Sequence, residues 1–216
     1  MRNIWRSAKL DFSLVRPYVK TICFTMILPV VFAAVNRSLL TGISFAMCFI
    51  AMTTGYTFSI TEKNSMERLY GILPIRKSDM VIGRYIFILI MGLTALIFSL
   101  AVHPVILTVL GEAISIFDLM SAAATGIFLF ALYTVFQLPG YYKLGAIKGR
   151  VFMYIPVVGF LITSLLFTKT PVSESKLLFT VINSPALLML SVVIFVVAMY
   201  VVSILISIKI LENKEM

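Results

Sequence analysis

Residues 186–208 read ALLMLSVVIFVVAMYVVSILISI, without one charged side chain. A hydrocarbon core about 30 Å thick is crossed by roughly 20 helical residues, so this run is long enough to span a bilayer. Outward from it, five more segments meet or approach that length: Val151–Thr168, Leu119–Leu138, Val81–Leu110, Leu39–Thr61 and Pro17–Val35. Val81–Leu110 is longer than a bilayer needs, which predicts a start in the cytosol. Pro17–Val35 is the weakest, because Lys20 and Pro29 interrupt it and its strictly apolar stretch begins only at Thr21. That pattern predicts a short, tilted or kinked span. The fold class is therefore all-α, a polytopic membrane protein with six transmembrane helices.

Composition supports this reading. Of 216 residues 61% are apolar and 12% charged, and the mean hydropathy is +1.06. Soluble domains carry about a quarter of their residues as charged side chains, so too little polar surface is present to coat a water-facing globule. The net charge of +9 would suggest nucleic acid in a soluble protein. Here the bases sit between apolar runs, facing an anionic leaflet, and no nucleic-acid motif accompanies them. Cys23 and Cys48 both lie inside apolar runs and read as small core residues. No short apolar stretch with a cleavage site opens the chain, so the first span is expected to be an uncleaved anchor.

Basic residues fix an orientation. With both ends inside, only Arg37, Lys169 and Lys176 of the 18 Lys and Arg fall outside. That excess on alternate segments is the positive-inside bias, and it predicts six spans with both termini cytoplasmic. Asn36-Arg37-Ser38 is then a tight outer turn, and Gly111–Asp118 a short outer loop. Lys169–Pro185 is a longer one, able to dip into the interface through Leu177-Leu178-Phe179.

The inner segment 62–80 is the most charged connection. Glu62, Met66, Leu69 and Leu73 recur at three- to four-residue spacing, which predicts a short helix ended by Pro74, with Ser78 or Asp79 capping the next span. A stiff helix under the bilayer suits a lever, although a plain solvated connector carries the same charges. Residues 1–16 form a second amphipathic piece. Ile4, Trp5, Ala8, Phe12 and Val15 share one face, with Arg2, Arg6, Lys9 and Arg16 around it. That composition predicts a helix lying in the membrane plane. Residues 17–208 make the transmembrane domain and 209–216 a cytoplasmic tail.

Few other residues suggest chemistry. His103 is the single histidine, mid-span and followed by Pro104. It reads as a neutral side chain bonding a carbonyl freed by Pro104, with an intramembrane titrating site as the alternative. Gln137-Leu138-Pro139-Gly140 reads as a helix stop. Ser121, Ala122, Thr125 and Gly126 make a stripe for close helix contact, within the subunit or at a dimer seam. Pro156 and Gly159 predict a bend. No phosphate-binding loop occurs, since Gly145-Ala146-Ile147-Lys148-Gly149 lacks its spacing and hydroxyl.

The pattern Glu62…Glu67-Arg68-Leu69…Leu73-Pro74-Ile75-Arg76-Lys77…Val81…Gly83-Arg84-Tyr85 resembles the ABC-2 type transporter permeases, and the six-span layout extends the likeness loosely over the chain. Its size is similar to small permeases of Gram-positive peptide exporters. Gly71 departs mildly from the small serine-like residue usual before Leu-Pro. The resemblance implies that two permease subunits pair, in a homo- or heterodimer, and that a separate ATPase binds ATP and Mg while this chain binds no cofactor. It implies that Glu62, Glu67, Arg68, Leu73, Pro74, Arg76 and Lys77 form a coupling element, that Arg84 and Tyr85 anchor the next span, and that the interfacial helix with Trp5, Arg6 and Phe12 lies beside the ATPase. The site would be a bacterial cytoplasmic membrane. Nearly uncharged spans favour an amphipathic or hydrophobic cargo, a peptide foremost. An ion-coupled carrier would need intramembrane carboxylates, and an intramembrane enzyme paired catalytic groups; the spans hold neither set. A membrane immunity protein that binds a toxic peptide would share the same fold.

Overall fold

The structure is a computed structural model and describes residues 2–64, 66, 75–156, 158 and 185–214. All regular structure among the described residues is helical. The order is α1 (Arg2–Val15), a 3-10 turn (Arg16–Tyr18), α2 (Val19–Thr25), α3 (Ile27–Asn36), α4 (Leu39–Thr53) and α5 (Gly55–Lys63). Then come α6 (Lys77–Val109), α7 (Ile116–Lys148), a second 3-10 turn (Gly149–Met153) and α8 (Pro185–Glu212). Five stretches are long and apolar enough to cross a membrane: Asn3–Asn36, Leu39–Lys63, Lys77–Val109, Ile116–Pro156 and Val193–Glu212. The chain is a multi-pass membrane protein. Past its first turns, the expected span Val151–Thr168 lies outside the described residues, as do Gly159 and nearly all of the loop Lys169–Pro185.

The first crossing is assembled from pieces. Pro29 stands in the first turn of α3, where its missing N–H costs little, but it deprives the Thr25 carbonyl of a helical partner, and the chain steps at Met26. Ala8, Asp11 and Val15 are buried, whereas Trp5 and Phe12 are exposed. The single face read from sequence is thus divided: one stripe packs on the protein, the other points away. Gly83 permits the close approach of α1 to α6, since a Cβ there would stand 2.7 Å from the Ile4 carbonyl oxygen and from Ser7 Cβ.

The tight turn after α3 rests on Arg37, in the left-handed region (φ 48°), and on extended Ser38, whose hydroxyl accepts from the Thr41 N–H. Between α4 and α5 the hydroxyls of Thr53, Thr54 and Thr57 donate to carbonyls three residues back, a pairing that bends helices. At the head of α6 the N-cap is Arg76 with no side-chain bond. Ser78 and Asp79 therefore fall inside the first turn and do not cap, although the Asp79 charge still favours that end of the dipole. α7 starts ahead of Leu119 because Ser115 and Asp118 form a reciprocal capping box at 3.1 and 3.0 Å.

The stop expected at Pro139-Gly140 is not there. α7 continues to Gly145, whose φ of 79° and ψ of 179° break it. Gln137 is fully buried and accepts from the Thr54 hydroxyl at 3.2 Å. The Tyr141 and Tyr142 rings each lie 5.0 Å from the Phe58 ring centroid, so aromatic burial carries the helix past the proline. Gly140 serves a close contact with Phe152, not a termination. Of the small-residue stripe, Ala122 and Gly126 are buried, and Gly126 sits against Ile43 and Met47 of α4. That stripe is used within the subunit.

The two ends of the bundle differ. At one, Lys77 Nζ donates to the carbonyls of Glu212 and Lys214 at 3.4 and 3.0 Å, and the Ser7 hydroxyl donates to the Met80 carbonyl at 3.5 Å. The described beginning and end of the chain thus meet beside the segment 62–80; this is the loop end. At the other, the turn end, exposed Arg37 and Glu112 pair at 3.5 Å.

Candidate functional site

Glu67, Arg68, Leu73 and Pro74 lie outside the described residues, and so does most of the expected helix Glu62–Leu73. The two roots of the segment, and what each is tied to, are described.

Glu62, in the last turn of α5, reaches α7. Its carboxylate accepts the Ala146 N–H at 2.7 Å. That N–H is available because Gly145 adopts a backbone conformation open essentially to glycine alone. A Cβ at Gly145 would also stand 3.2 Å from Glu62 Oε2. Glu62 thus caps, from a neighbouring helix, the short piece that follows the break. At the second root Arg76 is exposed and extended, and Lys77 binds the end of α8 as described.

Two turns on, Arg84 is buried. Its guanidinium grips Asp11 of α1 with two parallel bonds, Nε to Oδ2 at 3.1 Å and Nη2 to Oδ1 at 3.0 Å. Nη2 also lies 3.4 Å from the Thr61 hydroxyl, and the group stands 4.5 Å over the Phe58 ring and 5.9 Å from the Tyr142 ring. A buried charge persists only when paired and bonded, and Arg84 has carboxylate, hydroxyl and two aromatic faces. Tyr85, next in sequence, points to α8: its hydroxyl meets Ser203 and Ser207 at 2.7 and 2.8 Å, and Ser203 donates to the Val135 carbonyl of α7. A cavity of about 60 Å³ lies among Ser7, Thr61, Glu62, Arg84, Tyr142 and Lys214.

The structure therefore gathers Glu62, Lys77, Arg84 and Tyr85 at one end and joins them to α1, α7 and α8. Sequence reasoning missed Asp11, Thr61, Gly145, Ser203 and Ser207. Asp11 carried a signal, being the only acidic residue before Glu62 and lying on the same helical stripe as Ala8 and Val15. Trp5, Arg6 and Phe12 stand on the exposed side of α1.

His103 lies apart from this cluster. It is fully buried, with Nδ1 2.8 Å from the Ser99 carbonyl and the ring against Gly42. Pro104 frees the Leu100 carbonyl, so the acceptor is one residue earlier than expected. Among the described residues no three His, Cys, Asp or Glu side chains stand close enough to hold a metal. Among the described residues the loop-end cluster presents no nucleophile beside a base. Its bonds join the roots of the segment and the turns after it to α1, α7 and α8.

A family model described as "ABC-2 family transporter protein" matches residues 8–212. No curated protein and no solved structure matches the chain.

Proposed function

This chain belongs to the ABC-2 family of transporter proteins, and from that premise we propose that it is the permease subunit of an ATP-driven exporter. A separate ATPase binds ATP and Mg and grips the segment 62–80 from the cytosol. Two permease subunits enclose the path, in a bacterial cytoplasmic membrane, with both termini inside. The cargo is amphipathic or hydrophobic, a peptide foremost, because the crossings offer such a molecule apolar and weakly polar walls.

One observation carries this reading. The segment is tied at both roots, through Glu62 to the Ala146 N–H and through Lys77 to the end of α8, while Arg84 fastens the following turns to α1. Displacement of a segment held this way reaches the other crossings. Held to the body at one point alone, it would swing without effect.

The test begins with the tagged full chain purified from its native membrane with the ATPase that accompanies it. In vesicles, the wild-type complex is expected to couple ATP hydrolysis to loss of cargo from the donor compartment. Glu67→Ala and Arg76→Ala are expected to lower transport per ATP while the complex stays assembled. Cargo movement by the chain with no nucleotide-hydrolysing subunit would overturn the proposal.

A further inference from the structure

An open groove of about 340 Å³ runs between the first crossing and α6. Phe12 and Val19 form one wall and Phe87, Met91 and Phe98 the other. The single hydroxyl among its described lining residues, that of Thr94, already donates to the Met91 carbonyl of its own helix. The lining is almost wholly apolar and suits an apolar occupant. From Phe87 to Phe98 it covers about 16 Å of helix at 1.5 Å per residue, roughly half of a 30 Å hydrocarbon core. That is the depth of one leaflet, and so of one lipid chain.

Its flank is basic. Lys9, Phe12, Arg16 and Lys20 recur at three- and four-residue spacing, and all four are exposed. No described carboxylate pairs with any of the three cations; the ion pairs among the described residues are Arg37–Glu112 and Arg84–Asp11. Lys20 also interrupts the apolar run of the first crossing. A cation on a lipid-facing surface is costly unless its long stem carries the charge to the interface and an anion meets it there.

We propose that this groove is a phospholipid site: one acyl chain lies between Phe12 and Phe98, and Arg16 and Lys20 bind the phosphate of an anionic headgroup. Lys9 extends the basic row. The site depends on the chain standing in a membrane and not on the transport reading, so the two fail separately.

The test uses the full chain in detergent and native mass spectrometry with two lipids of identical acyl chains, phosphatidylglycerol and phosphatidylcholine. Wild type is expected to retain phosphatidylglycerol preferentially. Each basic residue near an anionic surface is worth roughly 1 kcal/mol, so R16Q/K20Q is expected to weaken phosphatidylglycerol about 25-fold and leave phosphatidylcholine unchanged. Thr94→Trp, which fills the groove from an exposed position, is expected to weaken both lipids; Thr94→Phe replaces it if the larger ring prevents folding, judged by size exclusion. Equal retention of the two lipids by wild type, an undiminished preference in R16Q/K20Q, or undisturbed binding in the groove-filling variant would each overturn the assignment. Cys23 stands exposed on the groove wall. In the Cys48→Ala background, efficient Cys23–Cys23 crosslinking between chains in native membranes would instead assign the groove to a second copy, and also overturn it.

Discussion

Asp11 and Arg84 form the buried ion pair of the described residues, with side chains 2% and 9% exposed. Removing one partner of such a pair strands a charge in a low-dielectric setting, at about 3–5 kcal/mol, whereas replacing both by apolar groups of similar volume is often neutral. Asp11→Ala is therefore expected to lower the melting temperature of the detergent-solubilised protein steeply, and D11L/R84M to recover most of the loss. Arg84→Lys should resemble the damaging single change, since an ammonium cannot make the two-bond grip. A melting curve for Asp11→Ala that overlays wild type would remove the pair from any structural role. Half of this pair was legible beforehand. Arg84 stood in the motif, and Asp11 stood alone among apolar and basic neighbours. Their partnership was not legible, because 73 residues separate them and no local pattern encodes which helix α1 will meet.

At the scale of elements, apolar length announced the five described stretches able to cross a membrane while missing several of their ends. Hydropathy reports where lipid starts and stops, but α7 outlasts its apolar run. Its last turns are held by Phe58 against Tyr141 and Tyr142 and by Gln137 against Thr54. The dipeptide Pro139-Gly140 looked like a terminator, yet the break falls at Gly145, whose φ of 79° and ψ of 179° exclude most side chains. Holding another residue in that region costs about 1–3 kcal/mol. Gly145→Ala is thus expected to lower thermal stability by that order. Pro139→Ala, which restores a backbone donor inside a continuous helix, is expected to be neutral or stabilising. Reversed ranks in the same melting assay would return the helix end to Pro139. The division of α1 into a protein-facing stripe of Ala8, Asp11 and Val15 and an exposed Trp5 and Phe12 follows the same logic: the sequence shows two apolar stripes, and only tertiary contact decides which one is covered.

For the whole molecule, the described ends of the chain lie together at the loop end, and Arg37 and Glu112 lie at the other. Six crossings bring both ends of a chain to one side, whereas five part them. With the sixth proposed at Val151–Thr168, epitope tags at the two termini are expected to be reached only from the cytosolic face. A cysteine at Ser38, in the Cys23→Ala and Cys48→Ala background, is expected to be labelled only from outside. Tags reached from opposite faces would break both the crossing count and the cytosolic placement of the segment 62–80. Given that placement, force on the segment enters α7 through the Glu62 carboxylate and the Ala146 N–H. A glutamine retains an oxygen able to accept that N–H, and an alanine does not. Glu62→Gln is therefore expected to keep most of the cargo moved per ATP hydrolysed, and Glu62→Ala to lose most of it while the ATPase stays bound. Equal loss in both variants would locate the role of Glu62 in its charge, at the surface the ATPase touches. Equal retention would leave Lys77 and Arg84 to carry the motion through α8 and α1.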